Sequence, residues 1–297
     1  MLQAHRPPTK TYVDTFTDSR RWAEVTARAG DIIVTTPPKS GTTWTQGILA
    51  MLIAEDPEVD AQTTFKSPWI DFSMRPIDEV VARIDAQTHR RQLKSHTPLD
   101  GLPYWDAVHY IAVYRHPIDV YFSFRKHAFN QSETISKPFF PPAYFSDDPA
   151  EGFAVFLTGD FQDAASLTAI VAHYKCTLAH APQQNLLRLH YSDMLQNLAN
   201  AVESIARHAQ LTPTPALLNR VIDAARFENM QANAHRFTPS AGTGNWKNDS
   251  AFFDSASSNK WEGRLQQPDL DAYAARIDAL LTPTERMWLE NGDLTGP

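Results

Sequence analysis

The feature that most constrains the fold is a β-branched run that hands over, through a short turn, to an apolar helical pattern. Asp31-Ile-Ile-Val-Thr-Thr36 reads as a strand, Pro37-Pro38-Lys39-Ser40-Gly41 as the turn, and residues 42–54 as a helix with Trp44, Ile48, Leu49 and Leu52 on one face. Three more short runs resemble the first: 93–96, 108–114 and 186–191. The 108–114 run is nearly all apolar or aromatic, as in a strand covered on both faces. Helical spacing recurs between and after them. Pro117 opens one helix through Phe129. Phe161, Ala164, Ala165, Thr168, Val171, Tyr174 and Leu178 mark a second face, and Leu198, Val202, Ile205, Ala206 and Ala209 a third. Leu270, Tyr273, Ala274, Ile277 and Leu281 follow Pro268. Strands alternating with helices predict an α/β fold: a central parallel sheet flanked by helices, in a single domain over 1–297 with 1–20 as a peripheral arm.

Composition narrows the partners. Lys and Arg number 27 against 34 Asp and Glu, a net charge of −7, so neither nucleic acid nor an anionic membrane is the expected partner. With 42% hydrophobic and 21% charged residues, the chain has ordinary globular usage rather than that of a disordered one. One cysteine, Cys176, excludes an internal disulfide and a multi-thiolate metal site. The first residues have no apolar run after their charges, and the longest such run, 48–54, falls far short of the ~20 residues of a membrane helix. A soluble, cytoplasmic protein is expected. Two long irregular stretches remain, 136–148 and 238–259, and the region 238–264 is expected to act as a lid.

The chemistry concentrates at predicted strand ends. Lys39, Ser40, Gly41, Thr42 and Thr43 stand where strand becomes helix; free N–H groups and the helix dipole make an anion site there. This is not a Walker A loop, because Lys39 precedes Gly41. Arg115 ends the third strand, on the carboxyl edge where open α/β sheets bind ligands, and Ser123 can face the same anion from the following helix. Lys94 and His96 alternate along a strand and share a face. There a neutral imidazole accepts a proton near pH 7 and the lysine supplies positive charge. Singly, each has an ordinary reading: a turn with a surface lysine, a strand-end arginine paired with an acid, one of 11 histidines. Together on one edge they are far more specific. A small-molecule kinase is the rival enzyme; it needs Mg²⁺ and a carboxylate at a strand end, where Arg115 and the Lys94–His96 pair stand instead. A nucleotide-binding protein without transferase activity would have no need of His96.

These segments resemble the motifs of the cytosolic-type sulfotransferases, which use 3′-phosphoadenosine 5′-phosphosulfate (PAPS). Pro38-Lys39-Ser-Gly-Thr-Thr-Trp44 is similar to that family's 5′-phosphosulfate loop, Arg115 with Ser123 to its 3′-phosphate motif, and Lys94-Ser-His96 to the strand that bears its catalytic histidine. The resemblance implies a P-loop-kinase-like fold and sulfuryl transfer from PAPS to a hydroxyl or amine of a small acceptor. The product is adenosine 3′,5′-bisphosphate (PAP), and no metal is required. It further implies His96 as general base, Lys39 and Lys94 as charge-neutralising groups, Tyr191 bonded to adenine, and Phe227 and Trp44 stacked on that ring. The sequence departs from the family at Pro239-Ser240-Ala241, where a basic Arg-Lys-Gly precedes the Gly-x-Trp-Lys matched here by Gly244 to Lys247. A family dimerisation stretch is not recognisable, which leaves the oligomeric state open. Lys260, after the Ser-, Gly- and Asn-rich stretch, is expected to replace the missing basic group at the 3′-phosphate, with Arg264 second. Phe139, Phe140, Tyr144, Phe145 and Trp69 suggest an aromatic lip for an apolar or ring-bearing acceptor.

Overall fold

The computed structural model describes residues 6–62, 66–132, 140–160, 166–181, 183–253 and 258–293. Within them a four-stranded sheet forms from β1 (Ile32–Thr35), β2 (Gln92–Ser95), β3 (His109–Tyr114) and β4 (Leu186–His190), in the order β2-β1-β3-β4 and parallel throughout. The helices are α1 (Thr42–Ala54), α2 (Ile77–Asp85), α3 (Pro117–Asn130), α4 (Pro149–Thr158), α5 (Leu167–His180) and α6 (Tyr191–Gln196). There follow α7 (Leu198–His208), α8 (Pro215–Ala224), α9 (Phe227–Ala232), α10 (Ala234–Phe237), α11 (Gln267–Asp278) and α12 (Pro283–Asn291).

Strand alternation sorts the core into two layers. Ile32 and Val34 of β1 and Ile111 and Val113 of β3 pack against α1, α7 and α8. Ala112 and Tyr114 face the other way, into α3, α4, α5 and α11, while Ile33, Leu93 and Tyr110 join α2 and Trp22. At the amino edge of the sheet a buried pair, Arg91 on Asp31, ties the start of β2 to that of β1, with Arg91 Nη2 also donating to the Thr26 carbonyl at 2.8 Å.

Several expected boundaries shift. β2 ends at Ser95 and β4 at His190, so His96 and Tyr191 each stand one residue beyond a strand. Tyr191 instead opens α6, because His190 caps it by accepting from the Ser192 N–H. The helix expected from Phe161 is described only from Leu167; Phe161, Ala164 and Ala165 lie outside the described residues. The last amphipathic pattern ends at Asp278, and Leu281 packs beyond the helix rather than within it. Among the described residues no helix is long and apolar enough to cross a membrane.

Candidate active site

A parallel sheet gathers the carboxyl ends of its strands on one edge, and the first residues past β2, β3 and β4 are His96, Arg115 and Tyr191. Past β1 runs the turn, bent by left-handed backbone at Lys39 (φ 66°) and Gly41 (φ 117°). The first bond of α1 is Thr45 N–H to the Gly41 carbonyl at 3.0 Å, so the amides of Thr42, Thr43 and Trp44 have no acceptor four residues back. A Cβ on Gly41 would meet Tyr191 Cδ2 at 3.2 Å and Val113 Cγ1 at 3.3 Å, so the close seat of the turn on β3 and β4 needs glycine.

All the site residues expected from sequence, except Ser40, line one cavity of about 360 Å³. Ser40 is fully buried beneath the turn; its N–H donates to the Pro37 carbonyl at 3.3 Å and its Oγ is buried without a hydrogen-bond partner. Ser40 therefore stands behind the wall formed by its neighbours Lys39, Gly41 and Thr42.

His96 and Lys94 both touch Trp69: the imidazole edge-on with centroids 4.8 Å apart, the ammonium 4.1 Å over the ring. His96 Nδ1 lies 2.6 Å from the Thr36 carbonyl, a bond that assigns the proton to Nδ1 and leaves the lone pair on Nε2. Burial, and then the Lys94 charge, hold the ring well below its ordinary pKa, so it is neutral. Burial also brings Lys94 down to about 8, against the pull of Asp71. Asp71 itself takes bonds from Ser95 Oγ, Thr97 Oγ1 and the Thr97 N–H, and so clamps the residues on both sides of His96. Lys39 Nζ is 3.0 Å from Nδ1 of His127, a ring that burial keeps neutral and therefore accepting, and lies 4.5 Å over Phe252.

On the other side of the cavity the Arg115 guanidinium lies 4.2 Å over the Tyr191 ring, and Tyr191 meets Trp44 edge-on at 5.4 Å. Trp44 is anchored by its Nε1 donating to the Ala225 carbonyl at 2.8 Å. Beneath Arg115 sits buried Asp119, with Oδ2 at 4.0 Å from Nε. Its Oδ1 accepts the Lys260 N–H at 2.9 Å. Burial raises the Asp119 carboxyl above the usual carboxylate range, with Arg115 opposing that shift. Lys260 is thereby drawn to the wall near Arg115, whereas Arg264 is exposed, 5.4 Å over Phe122, and does not line the cavity.

Of the expected aromatic lip, Trp69 and Phe140 line the cavity, Tyr144 and Phe145 pack behind Phe140 without reaching it, and Phe139 lies outside the described residues. Sequence reasoning missed His127, Phe72, Phe124, Trp246 and Phe252 on the wall. The Trp69-x-x-Phe72 spacing and the Gly244–Lys247 match, which contains Trp246, carried the hints of them. The stretch expected as a lid is folded where described: Trp246 pairs in a bridge with Gln131, Lys247 N–H donates to the Asn130 carbonyl at 2.7 Å, and Trp246 packs on His127. Among the described residues no cluster of three or more His, Cys, Asp or Glu is placed to hold a metal, and none of the cavity's described lining residues is Asp or Glu.

The profile of the sulfotransferase domain matches residues 29–285. The chain belongs to the sulfotransferase family. This sulfotransferase is 31% identical over 309 aligned positions to a glycolipid sulfotransferase of Mycobacterium bovis, covering 95% of this chain and 94% of the relative. It is 27% identical to an amine sulfotransferase of Oryctolagus cuniculus over 80% of this chain and 76% of the other. Among solved structures, a mouse sulfotransferase complexed with PAP superposes with a TM-score of 0.70 at 17% identity, covering 98% of this chain and all of that one. A retinol dehydratase in complex with retinol and PAP gives 0.67, also at 17% identity, over 88% and 83%. At that identity the superpositions speak for the fold, a sulfotransferase α/β domain.

Proposed function

We propose that this sulfotransferase moves a sulfuryl group from PAPS to a hydroxyl or amine of a small acceptor, with His96 as general base. The observation that carries the reading is the pairing of a neutral, oriented His96 with an amide-rich turn on the same cavity edge. The residues present fit the donor. Unpaired amides at the start of α1, Lys39 and the hydroxyls of Thr42 and Thr43 suit a 5′-phosphosulfate. Arg115, Ser123 and Lys260 on the same cavity wall suit a 3′-phosphate, and Trp44, Tyr191 and Phe227 suit adenine. Support comes also from two superposed structures, each of which is a complex with PAP.

PAPS supplies the group transferred and a bridging oxygen able to leave with the bond's electrons. His96 Nε2 takes the acceptor proton as the acceptor oxygen or nitrogen bonds to sulfur. Lys39 and Lys94 meet the charge that collects on the bridging oxygen as its bond to sulfur breaks, and such preorganised charge is usually the largest catalytic contribution. Trp69 and the neighbouring rings exclude water and seat the acceptor. The test is a panel of phenols, sterols, amines, sugars and glycolipids incubated with sulfur-labelled PAPS. Label in one acceptor class, with PAP formed in equal amount, is the expected result. Donor binding with no transfer to any acceptor would favour the non-catalytic rival.

A further inference from the structure

Arg75 is one more cation on the cavity wall, and none of the roles above uses it. It follows Trp69 and Phe72, whose rings stack with centroids 4.5 Å apart. Its backbone is fixed, since its carbonyl accepts from Arg21 Nη2 at 2.8 Å. Its half-buried guanidinium makes no hydrogen bond or ion pair among the described residues. Burial weakens its hold on its proton, and Glu79 is the acid that opposes this. Its charge also reaches Lys94, adding to the depression of that lysine. Arg75 and Lys94 are thus two like charges on the wall of a cavity whose described lining contains no carboxylate. Asp71, whose charge bears on Lys94, has Oδ2 committed to Ser95 and Thr97, while its Oδ1 is buried without a hydrogen-bond partner.

We infer that Arg75 binds an anionic group on the acceptor, and that the acceptor is a ring-bearing hydroxyl or amine compound carrying a carboxylate or a phosphate. The inference rests on the sulfuryl-transfer reading for the acceptor's place. Trp69 touches His96 edge-on and stacks on Phe72, and Arg75 stands on the wall of the same cavity, so an acceptor whose nucleophile reaches His96 can meet Arg75 with an anionic group elsewhere on its frame. A charge in an aromatic cavity is costly without a partner. A planar guanidinium matches a carboxylate or phosphate through two parallel hydrogen bonds. Glu79 supplies the ordinary alternative, an ion pair with Arg75, but no such pair forms among the described residues.

The test compares three acceptors of one ring: 3-(4-hydroxyphenyl)propanoate, its amide, and 2-(4-hydroxyphenyl)ethyl phosphate. The wild-type protein should sulfate an anionic member with kcat/KM roughly tenfold or more above the amide, the scale of one charged hydrogen bond; the better of the two anions names the group. In Arg75→Gln that ratio should fall toward one, and in Arg75→Glu it should invert, with PAP affinity measured by calorimetry as the check on folding. A wild-type ratio near one, or a ratio unmoved in Arg75→Gln, overturns the inference. If no acceptor is sulfated, quenching of the cavity tryptophans by 3-phenylpropanoate and 3-phenylpropanamide separates the two readings. Anion preference that disappears in Arg75→Gln upholds the role of Arg75 while sulfuryl transfer fails; no preference overturns Arg75 itself.

Discussion

At the scale of single residues, the site works by holding bases neutral and cations close. His96 has one nitrogen on the Thr36 carbonyl, so under the proposed reading truncation removes the proton acceptor and leaves the groups proposed for the donor's phosphates in place. His96→Ala should lower kcat by ~10²–10⁴-fold with PAP affinity nearly unchanged. Near wild-type kcat at saturating substrates would remove His96 from the mechanism. Lys94 adds a pH limit. Burial brings it to about 8, and it acts only when charged. In the free enzyme kcat/KM should therefore fall as pH rises through about 8, and Lys94→Arg, which stays charged, should move that fall to higher pH. A profile flat to pH 10 would show that the Lys94 charge is not needed. That Lys94 and His96 come to one cavity was legible in Lys94-Ser-His96, because residues two apart at a strand end are a local pattern. The proton assignment on His96 was not, since the carbonyl that decides it lies 60 positions away.

At the scale of elements, the turn between β1 and α1 stores strain in order to present amides. Gly41 adopts a backbone that side chains resist, with Tyr191 and Val113 close on the side where a Cβ would stand. Gly41→Ala should cost about 1–3 kcal/mol of stability and weaken PAP by more than tenfold, because the N–H groups at the start of α1 turn away. Calorimetry and thermal melts measure both, and unchanged PAP binding would mean the amides do not hold the phosphate. The second element is the segment after α10. Its Lys260 amide is tied to Asp119 and so to Arg115. Lys260→Ala should weaken PAP more than 3′-dephospho-PAP, by the factor of roughly ten or more that belongs to a charged hydrogen bond. Equal losses on both nucleotides would place Lys260 away from the 3′-phosphate. A lysine after a Ser-, Gly- and Asn-rich stretch was visible in sequence; Asp119, which draws it in, was invisible because it belongs to α3.

For the whole molecule, buried histidines set the acid limit. His173 bridges Thr35 Oγ1 at 3.2 Å and the Tyr114 hydroxyl at 2.7 Å, joining β1 and β3 to α5, and burial lowers it to about 3. His190 reaches the Leu289 carbonyl at 3.1 Å and is lowered to about 4. Both rings are neutral when folded and take up protons near the ordinary 6.5 once unfolded. Stability is therefore complete above pH 6.5 and declines as pH falls toward 4, by about 1.4 kcal/mol per ring per pH unit. Melting temperatures at pH 7, 6 and 5 should drop progressively. A constant value down to pH 5 would mean that the rings protonate inside the fold.

Local periodicity determined the class of this protein. Alternation within four short runs, helical spacing between them and the Lys39–Trp44 turn were enough for a parallel α/β sheet with a strand-to-helix turn on its carboxyl edge, because each depends on residues a few positions apart. What lines the cavity was decided only in three dimensions. Phe72, Phe124, His127, Trp246, Phe252 and Arg75 come from segments far apart in the chain, and an aromatic at helical spacing looks the same whether it enters the core or a binding wall. Tyr144 and Phe145 went to the core and Trp246 to the wall because packing against α3 and α4 fixed the direction of each ring. Periodicity states that a face is buried; the tertiary contacts state against what.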